Sequence, residues 1–457
     1  MRRLLGLTLL ASIVLSGRSF AAPLTADDAV KIALQRSTSI INSEASVLDA
    51  KSGVWSAYSG VLPNVSANYN YTKSVTDPQD RVQSQFFGPI GIFSKTLSAN
   101  STSKSPSISG RWSLVDLSSW SSLSSARQGM DAAKLSRTAT RNDVVLETRT
   151  RFYDVVKAVR LADVSAGALK LARDDERRVK ALFEVGSVSK SDLLKARVRT
   201  SQSELDSLLA DHGAISARIG LANLLAMKES EVTDVDTTLV GEIRSYDEAQ
   251  VLADAKSGRP DILAAEKEMK AAQASLNAAR WGRLPSLDLS ASANFPSKTK
   301  SEDETFYYDD STLTSGSTQK RVTENTSDTQ YRATLAFSLP IFDGFATDAR
   351  VASSRARFMR SRETRDVLVR NLESEVRQTM LGHQEAVERE RLARKTLESA
   401  SENLNLVQQK YNVGSATILD LIDSQVQLQR AQSDLVSALA AIRVADATLA
   451  RVRGRSE

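Results

Sequence analysis

Residues 411–429 read YNVGSATILDLIDSQVQLQ. A helical composition runs into Gly414 and resumes at once, with Asp420 and Asp423 just past the pause. Glycine takes up left-handed backbone that other residues avoid, so it marks a point where a helix can end and the chain reverse. A second stretch has the same shape: FEVGSVSKSDLLKARV, residues 183–198. In both, Val-Gly is followed by five residues and an aspartate, from Gly186 to Asp192 and from Gly414 to Asp420. A spacing of roughly 220 residues is too long for a solenoid and implies one unit used twice.

Outward from these turns, the prolines set the scale. None lies between Pro106 and Pro260, and none follows Pro340. Proline inside a helix removes a hydrogen bond and clashes with the preceding turn. The proline-free regions, rich in Ala, Leu, Arg, Glu, Ser and Gln, therefore read as long helices. They are expected at 118–185 and 188–228 in the first half and at 345–412 and 416–453 in the second. A helix from 345 to 411 would run about 100 Å, more than a globular core can cover, so it must pack sideways in a tube or rod. Leu421, Leu428, Leu435, Ile442 and Leu449 form a heptad, with Ser424, Ala431, Ala438, Ala445 and Val452 three residues further on. A strict seven-residue repeat implies a left-handed coiled coil. In 188–228, Leu194, Leu208, Ile215 and Ala222 take one register, and Val198, Leu205, Ile219 and Ala226 the other.

The halves also align upstream. LTADDAVKIAL (24–34) matches SYDEAQVLADA (245–255), and VLPNVSANYNYT (61–72) matches RLPSLDLSASANF (283–295). RWSLVDLSSW (111–120) matches AFSLPIFDGF (336–345) less closely. Two repeats are expected, 22–240 and 241–457, each reading helix, strand, loop, strand, long helix, turn, long helix. The strand pairs fall at 62–75 with 105–117 and at 284–296 with 330–342. Within them apolar and polar residues alternate, as Val65, Ala67, Tyr69 and Tyr71 do with Asn64, Ser66, Asn68 and Asn70. Period-two alternation marks a strand with two unlike faces. A run of about ten residues suits a tilted strand crossing a bilayer, and Tyr71, Phe295 and Tyr331 near strand ends suit an interfacial girdle. The segments 76–104 and 298–329, rich in Ser, Thr, Asp and Gly, read as polar outward-facing loops. In lipid an open sheet edge leaves unsatisfied hydrogen-bonding groups. Natural barrels begin at about eight strands, so four per chain are too few; three chains would supply about twelve. An oligomer is expected.

The remaining features narrow the function. The chain has 457 residues, and 1–21 read as a secretory signal peptide. Arg2 and Arg3 form its positive end, Leu4–Leu15 its apolar run, and Ser19 and Ala21 its cleavage site, so the mature chain would start at Ala22. The net charge of +5 includes Arg2, Arg3 and Arg18 and falls to +2 without them, so it gives no reason to expect a nucleic-acid partner. With no cysteine there is no thiol chemistry, no disulfide and no residue for lipid attachment after the signal. Past the signal no apolar run approaches the ~18 residues of a membrane-spanning helix. No phosphate-binding loop, Ser-His-Asp order or metal-ligand spacing occurs, so no catalytic group, cofactor or metal is expected. His212 and His383 read as packing or surface residues rather than ligands. VERERLARK (387–395) reads as a solvated helix face.

With the signal, the duplicated halves, the alternating strands and the two Val-Gly turns in place, residues 24 to 453 resemble the TolC family of outer-membrane efflux channels. YNVGSATILDLIDSQVQLQRAQ and FEVGSVSKSDLLKARV carry the resemblance best, supported by FSLPIFDGF and LTADDAVKIAL. It implies a mainly helical fold with a small β part. Long antiparallel coiled-coil helices would form a periplasmic α-barrel, and four strands per chain a 12-stranded transmembrane β-barrel in a homotrimer. The function it implies is a passive exit duct in the outer membrane of a Gram-negative bacterium. The duct would serve a tripartite efflux or type I secretion system, with an inner-membrane transporter and a periplasmic adaptor protein as partners.

By the same resemblance the adaptor contacts match Val185, Gly186, Ser187 and Asp192, and Val413, Gly414, Ser415 and Asp420. Asp420 and Asp423, three apart on one helix face, match acidic pairs lining the narrowest periplasmic aperture. Three copies would converge six carboxylates there, attracting cations and repelling anions. Asp420 also stands where the helix dipole favours a capping acid. The two turns differ, since Lys190 and Lys195 accompany Asp192 whereas the second turn is net acidic. The competing reading is a periplasmic coiled-coil adaptor or scaffold without a membrane barrel. It accounts for the helices and the signal but not for the duplicated alternating strands.

Overall fold

The computed structural model describes residues 23–76, 83–87, 90–232, 234–239, 244–309 and 312–455; the expected signal lies outside them. In chain order the first elements are α1 (Ala26–Arg36), α2 (Thr38–Tyr58), β1 (Asn64–Thr76), β2 (Gln83–Phe87), β3 (Ile90–Val115), α3 (Leu117–Glu184) and α4 (Lys190–Leu224). There follow α5 (Glu248–Gly258), α6 (Pro260–Trp281), β4 (Ser286–Asn294), β5 (Lys298–Tyr308), β6 (Gly316–Thr326), β7 (Gln330–Ser338), α7 (Ala346–Asn412) and α8 (Ile418–Val452). The chain is mainly helical with a smaller β part. It divides into two units, one of residues up to 47, 132–265 and from 364, the other of 48–131 and 266–363.

The first unit is helical. Ala29 and Ala33 of α1, Phe152, Val155 and Val156 of α3, Leu221 of α4, and Leu225 and Val232 just beyond it make one buried cluster. The Leu24 N–H donates to the Asp234 carbonyl at 2.9 Å and the Asp236 N–H to the Leu24 carbonyl at 3.0 Å. That bridge ties the start of the described chain to the segment after α4. A second cluster joins Val251 and Ala255 of α5 to Leu372, Val376 and Met380 of α7 and Leu449 of α8.

One residue separates α1 from α2, and one separates α5 from α6. Ser37 is extended at φ −61°, ψ 129°, and Arg259 at φ −70°, ψ 117°. Arg259 precedes Pro260, whose ring keeps its neighbour out of the helical region, while proline itself fits the first helical turn. The Arg259 side chain is only 6 % exposed, and it bonds to Asp261 and Glu375. Arg451 also binds Glu375, at 2.8 Å, and Asp143, at 2.9 Å. The buried cation is thus paired from two elements, as desolvation requires. The sequence reading expected one helix before each strand pair. The structure has two, because a one-residue break is shorter than the periodicity that would reveal it.

The second unit holds one antiparallel sheet. β3 is its spine, pairing with β1 and β2 on one edge and with β4 and β5 on the other; β7 then lies outside β4 and β6 outside β5. Rows of partners give the width. Near the helices Ser66, Ser109, Ser292 and Arg332 stand side by side. Further along, Thr72, Ser103, Thr299 and Asn325 do. At both levels the sheet is four strands wide.

The expected loops 76–104 and 298–329 correct the sequence reading. Their described residues lie largely in β2, β3, β5 and β6, giving seven strand segments among the described residues instead of four. Lys300 and Glu302 alternate with Thr299 and Ser301, so the strand period is present but both faces are polar. Backbone pairing to neighbours, with ion pairs from Glu302 to Lys300 (2.7 Å) and Lys320 (3.4 Å), holds such strands without a core.

Candidate functional site

The two Val-Gly turns have the same local construction. Gly186 has φ +77° and Gly414 φ +79°. In the first, the Gly186 N–H donates to the Phe183 carbonyl at 3.0 Å and the Ser187 N–H to the Leu182 carbonyl at 2.8 Å. In the second, Gly414 donates to Tyr411 at 3.1 Å and Ser415 to Lys410 at 2.9 Å. Each is a Schellman cap, which satisfies the last carbonyls of the long helix and needs the left-handed residue that glycine supplies. The next helix starts three residues later, on Ser189 for α4 and Thr417 for α8.

Asp192 and Asp420 belong to those starts. The Asp420 N–H donates to Thr417 Oγ1 at 3.2 Å and the Thr417 N–H to Asp420 Oδ2 at 2.8 Å, a reciprocal capping box. Asp192 accepts from Ser189 Oγ at 2.8 Å and pairs with Lys195 at 3.3 Å. Hydrogen bonds from Thr417 hold the Asp420 carboxyl below its ordinary range. The Ser189 hydroxyl does the same for Asp192. Asp423 is exposed one turn further on and accepts from Gln427 Nε2 at 2.6 Å. Val185 and Val413 are 74 % and 79 % exposed, with Gly186, Ser187, Gly414 and Ser415 exposed beside them.

The two turns stand together. Val179, Leu193, Ala196, Ile418 and Leu421 form one buried cluster behind them. Arg178 reaches Asn412 at 3.4 Å. Behind the tips, Asp175 is nearly buried, bound by Arg178 at 2.8 Å and by the buried Gln425 amide. Sequence reasoning passed over Asp175 and Gln425. The Asp175–Arg178 spacing of three was the available signal. The S-x-x-D and T-x-x-D patterns at 189–192 and 417–420 likewise mark both acids as capping residues.

The two heptad helices differ in what covers them. On α8 the repeat is largely buried, with Leu421, Ser424, Ala431, Ala438, Ile442, Leu449 and Val452 inside. On α4 the buried stripe is Leu193, Ala196, Thr200, Ser203, Ser207 and Ala214. Of the expected seam residues Ala222 is buried, but Leu194, Val198, Leu205, Leu208, Ile215 and Ile219 are instead 41–70 % exposed. Of the two histidines, His212 is exposed; His383 is buried, its Nε2 3.1 Å from Asp446 Oδ1.

The register of the sheet sorts its side chains. Val65, Gly110, Ala291 and Ala333 form one row, and Ala67, Ile108, Ala293 and Tyr331 the next. Trp112, Leu289 and Leu335 continue the same face. Partners in an antiparallel sheet share a face, so the apolar residues of all four strands fall on one side. Beyond Tyr71 that face turns ionic, with Lys73, Thr102, Lys300 and Glu324 in a row. Five apolar rows from Phe337 to Tyr69 span roughly 27 Å along the strands, at about 3.4 Å per residue. This is the scale of the apolar band of a membrane barrel, about 25 Å tall. None of the described residues covers it: Val65, Leu335, Phe337 and Tyr331 are 62–79 % exposed.

A profile of outer membrane efflux proteins matches residues 29–227 and 251–455. The chain belongs to that family. It is 23 % identical over 351 residues to the outer membrane protein TolC of Escherichia coli K12, covering 74 % of this chain and 67 % of that one. It is 23 % identical over 392 residues to TolC of Vibrio cholerae, covering 84 % and 80 %. In fold it is similar to the outer membrane protein VceC of Vibrio cholerae, with a TM-score of 0.72 at 16 % identity over 94 % of this chain and 96 % of that one. The chain is therefore an outer-membrane efflux channel, and its relatives are channel proteins rather than enzymes. The alternative of a scaffold without a barrel does not stand.

Proposed function

We propose that three copies of the chain close one transmembrane barrel and continue it as a helical tunnel into the periplasm. This assembly would be the passive exit duct of a tripartite efflux or type I secretion system. The observation that carries the proposal is the sheet: four strands wide at each level, apolar on one exposed face near the helices, and, among the described residues, unpaired along the outer edges of β1 and β7. Free edges cannot stand in lipid, and four strands cannot close on themselves. The exposed apolar stripe of α4 supports the same reading, as it is the face a neighbouring copy would cover. The family model's match in two segments, 29–227 and 251–455, supports the reading of two repeats, 22–240 and 241–457, which a signal peptide of 1–21 would precede.

At the tunnel's inner mouth the tips would meet a periplasmic adaptor and, behind it, an inner-membrane transporter. Val185, Gly186, Ser187, Val413, Gly414, Ser415 and Asp420, all exposed, and the half-buried Asp192 would make the contact there. Lys190 and Lys195 stand with Asp192 at the first tip, whereas the second is net acidic, so the adaptor would grip the two differently. Asp423 is the stronger aperture candidate, since Asp420 is engaged in its own helix cap. Three copies of both would make a cation-attracting ring. Bilayer conductance tests this: Asp423→Asn should lower cation preference, and an unchanged reversal potential would remove the aperture assignment.

A further inference from the structure

Where one face of the sheet is apolar, the other is built from Asn, Ser and Thr, and two arginines interrupt it. Arg111 on β3 stands opposite Ser290, and Ser290 opposite Thr334. Arg332 on β7 stands opposite Ser292, and Ser292 opposite Ser109. The arginines therefore share the polar face, two strands apart and offset by two residues. At about 4.8 Å between strands and 3.4 Å per residue their Cα atoms are about 12 Å apart. Both are exposed and line one depression with Asn64, Ser66 and Ser109. Neither has a hydrogen-bond or ion-pair partner among the described residues. The carboxylate on this face nearest by register is Asp288, opposite Ser113, and it accepts from Ser286 Oγ at 3.3 Å.

Serine and asparagine suffice elsewhere to keep this face wet. Two unpaired guanidinium groups do something more. Each carries five donors in a planar fork suited to phosphate or carboxylate oxygens. We infer that Arg111 and Arg332 form a binding step for multiply charged anionic solutes on the polar face of the sheet. The inference rests on the barrel reading, in which three copies place six guanidinium groups around the lumen. The duct then carries two charge filters of opposite sign, carboxylates at the helical tips and arginines among the strands. Rings of basic side chains select anions as acidic rings select cations.

Single-channel recording in about 0.1 M KCl, where charges are not fully screened, tests the inference. Tripolyphosphate added on the strand side should reduce the wild-type conductance. In the Arg111→Gln/Arg332→Gln double variant the half-blocking concentration should rise at least tenfold. Each single variant should fall between. Should the double variant fail to insert, Arg332→Gln alone, on the outermost strand, carries the test with an expected rise of threefold or more. Equal block in wild type and variants, or block from the tip side only, overturns this inference and leaves the duct reading intact. A wild-type protein that forms no channel overturns both.

Discussion

Replacing Gly414 by alanine isolates the backbone demand of the tip. Gly414 sits at φ +79°, and a Cβ built there would meet nothing within 4 Å. No clash contributes, so the cost is that of holding an L-residue in left-handed backbone, about 1–2 kcal/mol. Alanine also restricts the unfolded chain, which offsets about 0.4–1 kcal/mol. With central values of about 1.5 and 0.7 kcal/mol the net is about 0.8 kcal/mol on local opening, within a two- to tenfold change in an equilibrium constant. The Gly414 and Ser415 amides close the Schellman cap, so hydrogen exchange over 410–416 reads the effect. Gly414→Ala should accelerate exchange there two- to tenfold after correction for intrinsic rates. Gly167 supplies the control: it lies inside α3, is exposed, and also has nothing within 4 Å. With helical backbone, Gly167→Ala should slow local exchange, by about 0.5–1 kcal/mol. Equal effects at the two sites, or slower exchange in Gly414→Ala, would refute the argument from positive φ.

Three further outcomes are expected. Ala226 closes α4 at φ +50° without being glycine, so Ala226→Gly should slow exchange over 222–228 by about 0.5–1 kcal/mol; faster exchange would count against strain there. Leu335→Arg, on the apolar face, should cost about 2–4 kcal/mol of membrane insertion, whereas Ala336→Arg, opposite Asp288 on the polar face, should insert normally; equal insertion yields would contradict the face assignment. Asp192 and Asp420 have depressed folded-state pKa values, so their contribution to the tips is present above the ordinary value of 3.8 and is lost as pH falls below it. Pepsin cleavage at the tips, scaled to an unstructured peptide, should rise as pH falls below about 3.8, and Asp420→Asn should flatten that rise at the second tip; a rise already complete at pH 5 would be wrong for these groups.

The long helices and the alternating strands were legible because each has a strong physical signature. Absent prolines leave α3 and α7 uninterrupted over 68 and 67 residues. Period-two alternation in β1 and β7 is plain because one face of these strands is apolar and the other polar. The outer hairpin β5–β6 was read as loop because polar strands lack that contrast; their pairing comes from backbone neighbours that composition does not reveal. Ser37 and Arg259 hid two helix breaks, since one extended residue barely shifts a helical pattern. The heptad in α4 was visible, but whether Leu194 and Val198 face their own chain or another depends on tertiary packing. At the tips the glycines were plain. The capping role of Asp420 was legible from its place at the helix start, while that of Asp192 was legible only in its S-x-x-D pattern, which matches T-x-x-D at 417–420.

In the proposed assembly one chain's sheet is incomplete and other copies close it. The most direct measurement is the protein mass of the mature chain extracted from outer membranes, by light scattering with the detergent contribution subtracted. A mass of three chains is the expected result, matching a twelve-strand barrel from sheets four strands wide. A monomer, or a dimer soluble without detergent, would mean that the free edges of β1 and β7 are not closed by copies in lipid, and the account of the duct would fail.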